Sequence, residues 1–464
     1  MVGAKSLGCL ECKRRKVKCD QRFPKCANCE RVGRWCSGPK SHFIRFVRPG
    51  AEEHMNTVTV SQYQSLKSPR STVSERLSAD LVRQLRDIDN VGYQLQCFGV
   101  FVSFLPARIG HNRALDAAVK CLLQVHSAMI RGKTLTTHTE GLDSYNESIA
   151  LIRKDLNDKQ TQTNAETVCA ALILSTYELY KRDHCHSWVT HAGGVAAILQ
   201  CWGPDRFVSD FEMALFASHY GSTVSTSIIY GKSCFLDAPE WHALRGRCLK
   251  TFPGLDKYTM DCLTALARLP NLLQSIRKSK ASARRPIWSR EQLQLAQEFK
   301  AMVSQHALKL HLDFLNPELI WERASTSSYS NQTMLVFAKP RIAFRYNFYW
   351  AVTIIANKIL LAFGEDDQSL VEEYRDAAED ICRSFEYLQT LRPLGILWLN
   401  FAASMAYGVS GEATRQRIVE EMEEALFPIQ IEATETVLNM SYNMLTGGID
   451  EIEQIREFDT FYNG

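Results

Sequence analysis

Apolar residues recur along most of the chain with the period of an α-helix. Leu142, Tyr145, Ile149, Ile152 and Leu156 step by threes and fours along one face. Leu370, Tyr374, Ala377, Ile381, Phe385 and Leu388 do the same over a longer stretch. Thr163 followed by Glu166 fits a capping box opening the apolar helix that runs through Tyr177. Pro340, Gly364 and Pro393 punctuate other segments, and strand-like patterning is confined to Ser227–Tyr230. The pattern predicts an all-α body of packed helices.

Towards the N-terminus the periodicity weakens. Leu77, Leu81, Leu85, Ile88, Val91 and Leu95 form a further apolar series, in which Leu81, Ile88 and Leu95 are seven apart. Heptad spacing marks a dimerising coil, but this one lasts under three heptads and Gln84 falls in the companion seam. A core helix is therefore the better reading. Residues 49–78 contain Pro49, Gly50, Pro69 and many Ser and Thr with little periodicity, the composition of a flexible linker. The expected organisation is a head at 1–48, a linker at 49–78 and a helical domain at 79–464.

Composition narrows the class. The 464 residues are 45% apolar and 23% charged, ordinary for a globular protein, which excludes collagen-like and wholly disordered chains. No apolar run reaches the ~18 residues of a membrane span: Val168–Tyr177 is too short, and Asn357 and Lys358 interrupt Trp350–Phe363. The first residues lack the apolar core of a signal peptide, so a soluble intracellular protein is expected. The net charge of +3 hides an asymmetry. Residues 1–50 hold thirteen Lys/Arg and three Asp/Glu, a formal +10, and the remaining 414 carry −7. Such a split points to a polyanion-binding head on a mildly acidic body.

Cysteine usage divides at the same place. Nine of the fifteen are scattered: Cys97, Cys121, Cys169, Cys185, Cys201, Cys234, Cys248, Cys262 and Cys382. These read as reduced, mostly buried small hydrophobes. The other six, Cys9, Cys12, Cys19, Cys26, Cys29 and Cys36, repeat one eleven-residue unit, CLECKRRKVKC and CANCERVGRWC. Each C-x2-C pair has the spacing of a structural zinc site, and tetrahedral zinc takes four ligands. Six thiolates satisfy two zinc ions only if two sulfurs bridge, and the pseudo-two-fold repeat nominates the first of each unit, Cys9 and Cys26. A three-disulfide knot needs an oxidising compartment, and a single four-cysteine ribbon leaves two thiols over. With almost no apolar core of its own, the head must draw its folding energy mainly from metal.

Between Cys12 and Cys19 five of six residues are cationic: Lys13, Arg14, Arg15, Lys16 and Lys18. A short helix held by metal on both sides presents them as one patch, suited to phosphates and to guanine edges in the major groove. The string C-x2-C-K-R-R-K-V-K-C-D, a loop containing Pro24 and a second C-x2-C-x6-C resembles the fungal six-cysteine binuclear zinc cluster family of transcription factors, over residues 9–36. The resemblance implies two zinc ions, a first helix entering the major groove of double-stranded DNA, usually at CGG triplets, and a homodimer that recruits the transcription machinery in the nucleus. By position, Lys16 and Arg15 become the base-reading pair, and Lys13, Arg14 and Lys18 phosphate ligands. Members usually carry Arg directly after the second cysteine. Lys13 departs from this and loses bidentate phosphate geometry. The alternative is a transcription cofactor whose cluster docks protein partners.

The segments FLPARIGHNRALDAAVKCLLQVH, AALILSTYELYKRDHCHSWVTHAGGVAAIL and CFLDAPEWHAL look like the regulatory domain that follows the cluster in many such factors, which implies modulation and no catalytic residues. No G-x-S-x-G, P-loop, G-x-G-x-x-G or H-E-x-x-H is present, and an enzyme is not expected. His184, Cys185, His186 and His191 gather near Trp188, read as structural positions of a helix pair entering Gly193–Gly194. Arg277, Lys278, Lys280, Arg284 and Arg285 read as a solvated loop or a second nuclear signal. After Gly447–Gly448, acidic residues (Asp450, Glu451, Glu453, Glu457, Asp459) interleave with Ile452, Ile455, Phe458 and Tyr462. That composition fits a final docked helix or an amphipathic activation segment.

Overall fold

A computed structural model of the chain describes residues 8–22, 25–36, 71–86, 94–131, 141–181, 185–281, 288–326, 333–364, 367–392, 394–395, 399–426 and 434–448. It divides into two compact units, residues 1–69 and 70–464, each with its own buried cluster. The head contains two one-turn helices, α1 (Leu10–Arg14) and α2 (Ala27–Arg31). Among its described residues the large unit is all-α apart from one hairpin. No helix among the described residues is long and apolar enough to cross a membrane.

The large unit opens with α3 (Val73–Leu85), started by a reciprocal capping box in which Thr72 and Glu75 satisfy each other's backbone. Residues 73–78, assigned to the linker on composition, thus belong to a helix. The Ser- and Thr-rich character that suggested a linker is what a helix N-terminus uses. Leu81 is buried in the core, but α3 ends before Ile88, which lies outside the described residues, and Leu95 is buried in a separate 3-10 turn. Gln84 is buried too, its amide nitrogen donating to Ser127 Oγ at 3.1 Å, so the seam faces a neighbouring helix of this chain.

Helices α4 (Arg113–Ile130), α5 (Leu142–Asn157) and α6 (Ala165–Lys181) pack together next. On α5 the apolar stripe is only half-buried, apart from Ile152. The line of closest approach is Ser144, Ser148 and Ile152, with Ser148 Oγ donating to the Ala114 carbonyl at 2.9 Å. Small hydroxyls let α4 approach closely while the larger residues wrap its sides. The capping box expected at Thr163 gives way to a start at Ala165, because Glu166 bonds Arg108 Nη1 at 2.8 Å.

Helix α7 (Cys185–Trp202) runs unbroken through Gly193–Gly194, correcting the expected helix pair. Gly193 leaves room for the Tyr230 ring, which a Cβ there would meet at 3.2 Å. Tyr230 closes α8 (Asp210–Tyr230), so Ser227–Tyr230 is helical and not a strand. Burial of Thr223, Val224, Thr226 and Ile228 inside the bundle overrides their β-branched preference.

The remaining helices are α9 (Pro239–Thr251), α10 (Lys257–Leu266), α11 (Pro270–Ala281), α12 (Arg290–Ser304), α13 (Ala307–Phe314), α14 (Pro340–Ala362), α15 (Gln368–Gln389), α16 (Leu399–Val409), α17 (Glu412–Leu426) and α18 (Thr434–Thr446). Apolar on nearly every side, α14 is the axis of this half, flanked by α12, α15 and α16. On α15 the face from Leu370 to Leu388 is buried as its spacing requires, with Tyr374 at the margin. The sequence reading missed a hairpin of β1 (Ile320–Ala324) and β2 (Thr333–Phe337), antiparallel with Ile320 opposite Phe337. Leu335 and Phe337 are buried, and the Phe337 ring lies against Tyr346 and Tyr387. Strands of five residues carry too little pattern to stand out from helix. Of the described scattered cysteines most are buried, as expected, while Cys97 is half-buried and Cys201 exposed.

Two outcomes follow from this packing. A Cβ on Gly408 of α16 would lie 2.1 Å from Cδ2 of the buried Tyr442 ring on α18. Gly408→Ala should destabilise the body by roughly 1–3 kcal/mol, seen as a lower urea midpoint at unchanged slope. An unmoved midpoint would mean that this close approach does not exist.

His219 of α8 is buried and its Nε2 lies 2.9 Å from the Ala192 carbonyl, which makes it a donor in the neutral ring. Burial pushes its pKa down to about 4, against the opposing pull of that carbonyl. The unfolded value is ~6.5, so the folded state resists protonation. Stability from this residue is full above ~6.5 and drains as pH falls towards 4. Between pH 7.5 and 5 it should amount to about 2 kcal/mol. Denaturation of wild type and His219→Gln across that range should show a flatter profile for the variant.

Candidate metal centre

The duplication seen in the sequence is a duplication of structure. Cys9 and Cys26 are the N-caps of α1 and α2, each Sγ accepting from the backbone N–H three residues on, at 3.3 Å from Cys12 and 3.4 Å from Cys29. Their own N–H groups donate to the third sulfur of each unit, Cys19 and Cys36, both at 3.4 Å. After each helix the chain turns through a left-handed residue, Lys16 at φ 55° and Gly33 at φ 61°, four positions past the second cysteine. The next N–H returns to that cysteine's carbonyl at 3.0 Å in both units, Val17 to Cys12 and Arg34 to Cys29.

These turns bring the sulfurs together. Cys9 Sγ stands 3.8 Å from Cys26 Sγ and 3.7 Å from Cys29 Sγ, and Cys12 Sγ stands 3.6 Å from Cys26 Sγ. None is in a disulfide. Two quartets result, Cys9, Cys12, Cys19 and Cys26, and Cys9, Cys26, Cys29 and Cys36, the sulfurs of each lying within 4.8 Å of one another. The quartets overlap in Cys9 and Cys26. A tetrahedral zinc with ~2.3 Å bonds sets its sulfurs about 3.8 Å apart, so the spacing suits the ion. The donor chemistry suits it as well. Burial, followed by the neighbouring sulfurs, pushes the Cys12 thiol up to about 12 and raises Cys26 and Cys29. Thiolates in such surroundings require a cation among them.

The family model of the fungal Zn(2)-Cys(6) binuclear cluster domain matches residues 7–42. The head is such a cluster. Binuclear clusters of this kind hold two zinc ions, which is what two overlapping quartets accommodate. An uncharacterized protein of Emericella nidulans (AN5342) is 23% identical over 168 residues, 30% of this chain and 36% of that protein. The chain thus spans about a third of that relative's length. No solved structure is significantly similar.

Around the cluster the five cations differ in availability. Lys13, Lys16 and Lys18 are exposed, with no described carboxylate within 4 Å. Arg14 is exposed but bonded to Glu11 at 3.1 Å. Arg15 is half-buried, its Nη1 shielded from solvent. Pro24 lies outside the described residues. The sequence reading missed three ties across the units: Arg34 to Glu11 at 3.1 Å, Asn28 Nδ2 to the Lys18 carbonyl at 2.7 Å, and Asp20 accepting from the Ala27 N–H at 3.1 Å. The one available signal was Glu11, an acid inside an otherwise basic unit.

The other candidate clusters resolve differently. His184 and the side chains of Cys185 and His186 lie outside the described residues. His191 Nε2 is 2.9 Å from Tyr145 Oη, which donates to Glu178 at 2.5 Å, a partly buried chain of hydrogen bonds joining α5, α6 and α7. Arg277 is not part of a solvated loop. It donates to the carbonyls of Ile228 and Met444, at 3.0 and 2.9 Å. Arg284, Arg285 and the acidic residues after Gly448 lie outside the described residues.

The overlap of the quartets generates a test. Elemental analysis should return two zinc ions per chain, and strong chelation should unfold the head. Cys9→Ser should release both ions, whereas Cys36→Ser should spare the other quartet's ion. A Cys9→Ser protein that retains one full equivalent would contradict the shared-sulfur arrangement.

Proposed function

We propose that this chain is a nuclear, zinc-dependent regulator of transcription that binds specific DNA sequences, reading CGG-type triplets with the first helix of its cluster. All six cysteines, Cys9, Cys12, Cys19, Cys26, Cys29 and Cys36, serve as ligands in this reading, with Cys9 and Cys26 bridging. Lys16 and Arg15 face the bases, and Lys13, Arg14 and Lys18 hold phosphates. The chain binds paired sites as a homodimer, and the helical body modulates its output on the transcription machinery without catalysing a reaction.

The observation that carries the reading is the left-handed residue in each turn. The second unit fills it with Gly33, the residue that takes positive φ without strain, and the first with Lys16. A lysine there costs on the order of 1 kcal/mol, and such strain clusters where a side chain is needed for function. Lys16 is exposed, flanked by Lys13 and Lys18, and anchored by Cys12 and Cys19 on either side. A long cation on a rigid mount is what guanine O6 and N7 require.

Lys16→Gly isolates this role, since it copies the second unit's own turn. The variant should keep two zinc ions and resist denaturation at least as well as wild type. It should lose roughly 1–3 kcal/mol of affinity for a CGG-bearing duplex and far less for unrelated DNA. Lys18→Ala should instead weaken all duplexes alike and lower the salt slope by about 1. Equal losses on every duplex from both changes would make Lys16 a phosphate ligand and end the base-reading assignment.

A further inference from the structure

Glu11 is the one acidic residue in the first eleven-residue unit, placed between the two cysteines of its C-x2-C. Its side chain is only 13% exposed, and its carboxylate accepts from two guanidinium groups. Arg14 of the basic run reaches it through Nη2, and Arg34 of the second unit through Nη1, both at 3.1 Å. One carboxylate thus gathers a cation from each half of the cluster, beside Lys13, Lys16 and Lys18, which have no described carboxylate within 4 Å.

The fold does not require a charge at this position. The matching residue of the second unit is Asn28, which makes the equivalent tie across the units with a neutral amide, donating to the Lys18 carbonyl at 2.7 Å and accepting from Arg31 at 3.3 Å. What a carboxylate adds is electrostatic. Phosphate attraction is blind to sequence and grows with every free cation, whereas discrimination depends on the ratio of specific to non-specific binding.

We infer that Glu11 is a brake on sequence-independent DNA binding: it offsets one unit of the positive charge that Arg14 and Arg34 carry and weakens their hold on phosphates, so that affinity depends more on the base-facing Lys16. This rests on the DNA-binding reading above. Glu11 acts through the two arginines and is a specificity-determining residue that need not touch DNA itself.

The test uses the full-length, zinc-loaded chain and two thirty-base-pair duplexes, one carrying CGG triplets and one scrambled, titrated over a range of salt. Glu11→Gln keeps the size and a hydrogen-bonding amide. It should bind the scrambled duplex roughly three- to tenfold more tightly at low salt, with a slope steeper by about 1, the one unit of charge released. The ratio between the two duplexes should fall, at an unchanged two zinc ions per chain. Unchanged or weaker scrambled binding at full zinc content overturns the inference. If Glu11→Gln loses zinc, Arg34→Gln decides. An arginine held to a carboxylate should weaken scrambled binding and flatten the slope clearly less than Lys18→Ala, which flattens it by about 1. Arg34→Gln flattening it as much would make Arg34 a free phosphate ligand and remove the brake. Wild-type protein that binds neither duplex with a steep salt dependence would instead defeat the DNA-binding reading itself.

Discussion

Everything in the head depends on one constraint: six sulfurs share a space that two four-coordinate ions can fill only by sharing Cys9 and Cys26. A few apolar side chains, among them the exposed Leu10, Val17, Val32 and Trp35, cannot hold residues 8–36 together. The buried cluster consists of the cysteines themselves. Zinc therefore supplies both the folding energy and the geometry, and each one-turn helix gives way to a left-handed turn, at Lys16 and at Gly33.

That rigidity gives the charges their meaning. A run of cations on a mobile segment attracts phosphates without choosing among sequences. The same run anchored at Cys12 and Cys19 holds fixed directions, and the left-handed turn at Lys16 sets that side chain apart from its neighbours. Pairing then divides the patch. Arg14 is tied to Glu11, Arg15 is partly buried, and Lys13, Lys16 and Lys18 remain open to solvent.

The large unit follows another logic. Its core is one continuous apolar cluster, and buried polar groups fix how the helices register within it. Ser384 donates to Asn347 at 2.8 Å and Asn357 to the Leu370 carbonyl at 3.0 Å, which locks α14 to α15. The Tyr346 hydroxyl donates to the Leu310 carbonyl at 2.7 Å and ties α13 to the same axis. A displaced helix would leave these groups unpaired and buried, a penalty of ~1–3 kcal/mol each. Apolar contact alone would tolerate such a slip.

How much of this was legible in the sequence depends on the range of each interaction. The cysteine repeat determined the metal count and the candidate bridges, because ligand number and tetrahedral geometry are local rules with few solutions. Helical periodicity likewise determined the all-α class, since 3.6-residue spacing is imprinted on each segment, as from Leu370 to Leu388. Only the tertiary structure decided what lies between segments. It placed Ser144 and Ser148, not the larger apolar residues, at the closest approach of α5 to α4, and made a helix end of Ser227–Tyr230. It also folded Thr333–Phe337 as a strand against α15 and joined Arg34 to Glu11 across 23 positions. Each of these turns on a partner distant in sequence, and a pattern read along one segment carries no information about which other surface will cover it.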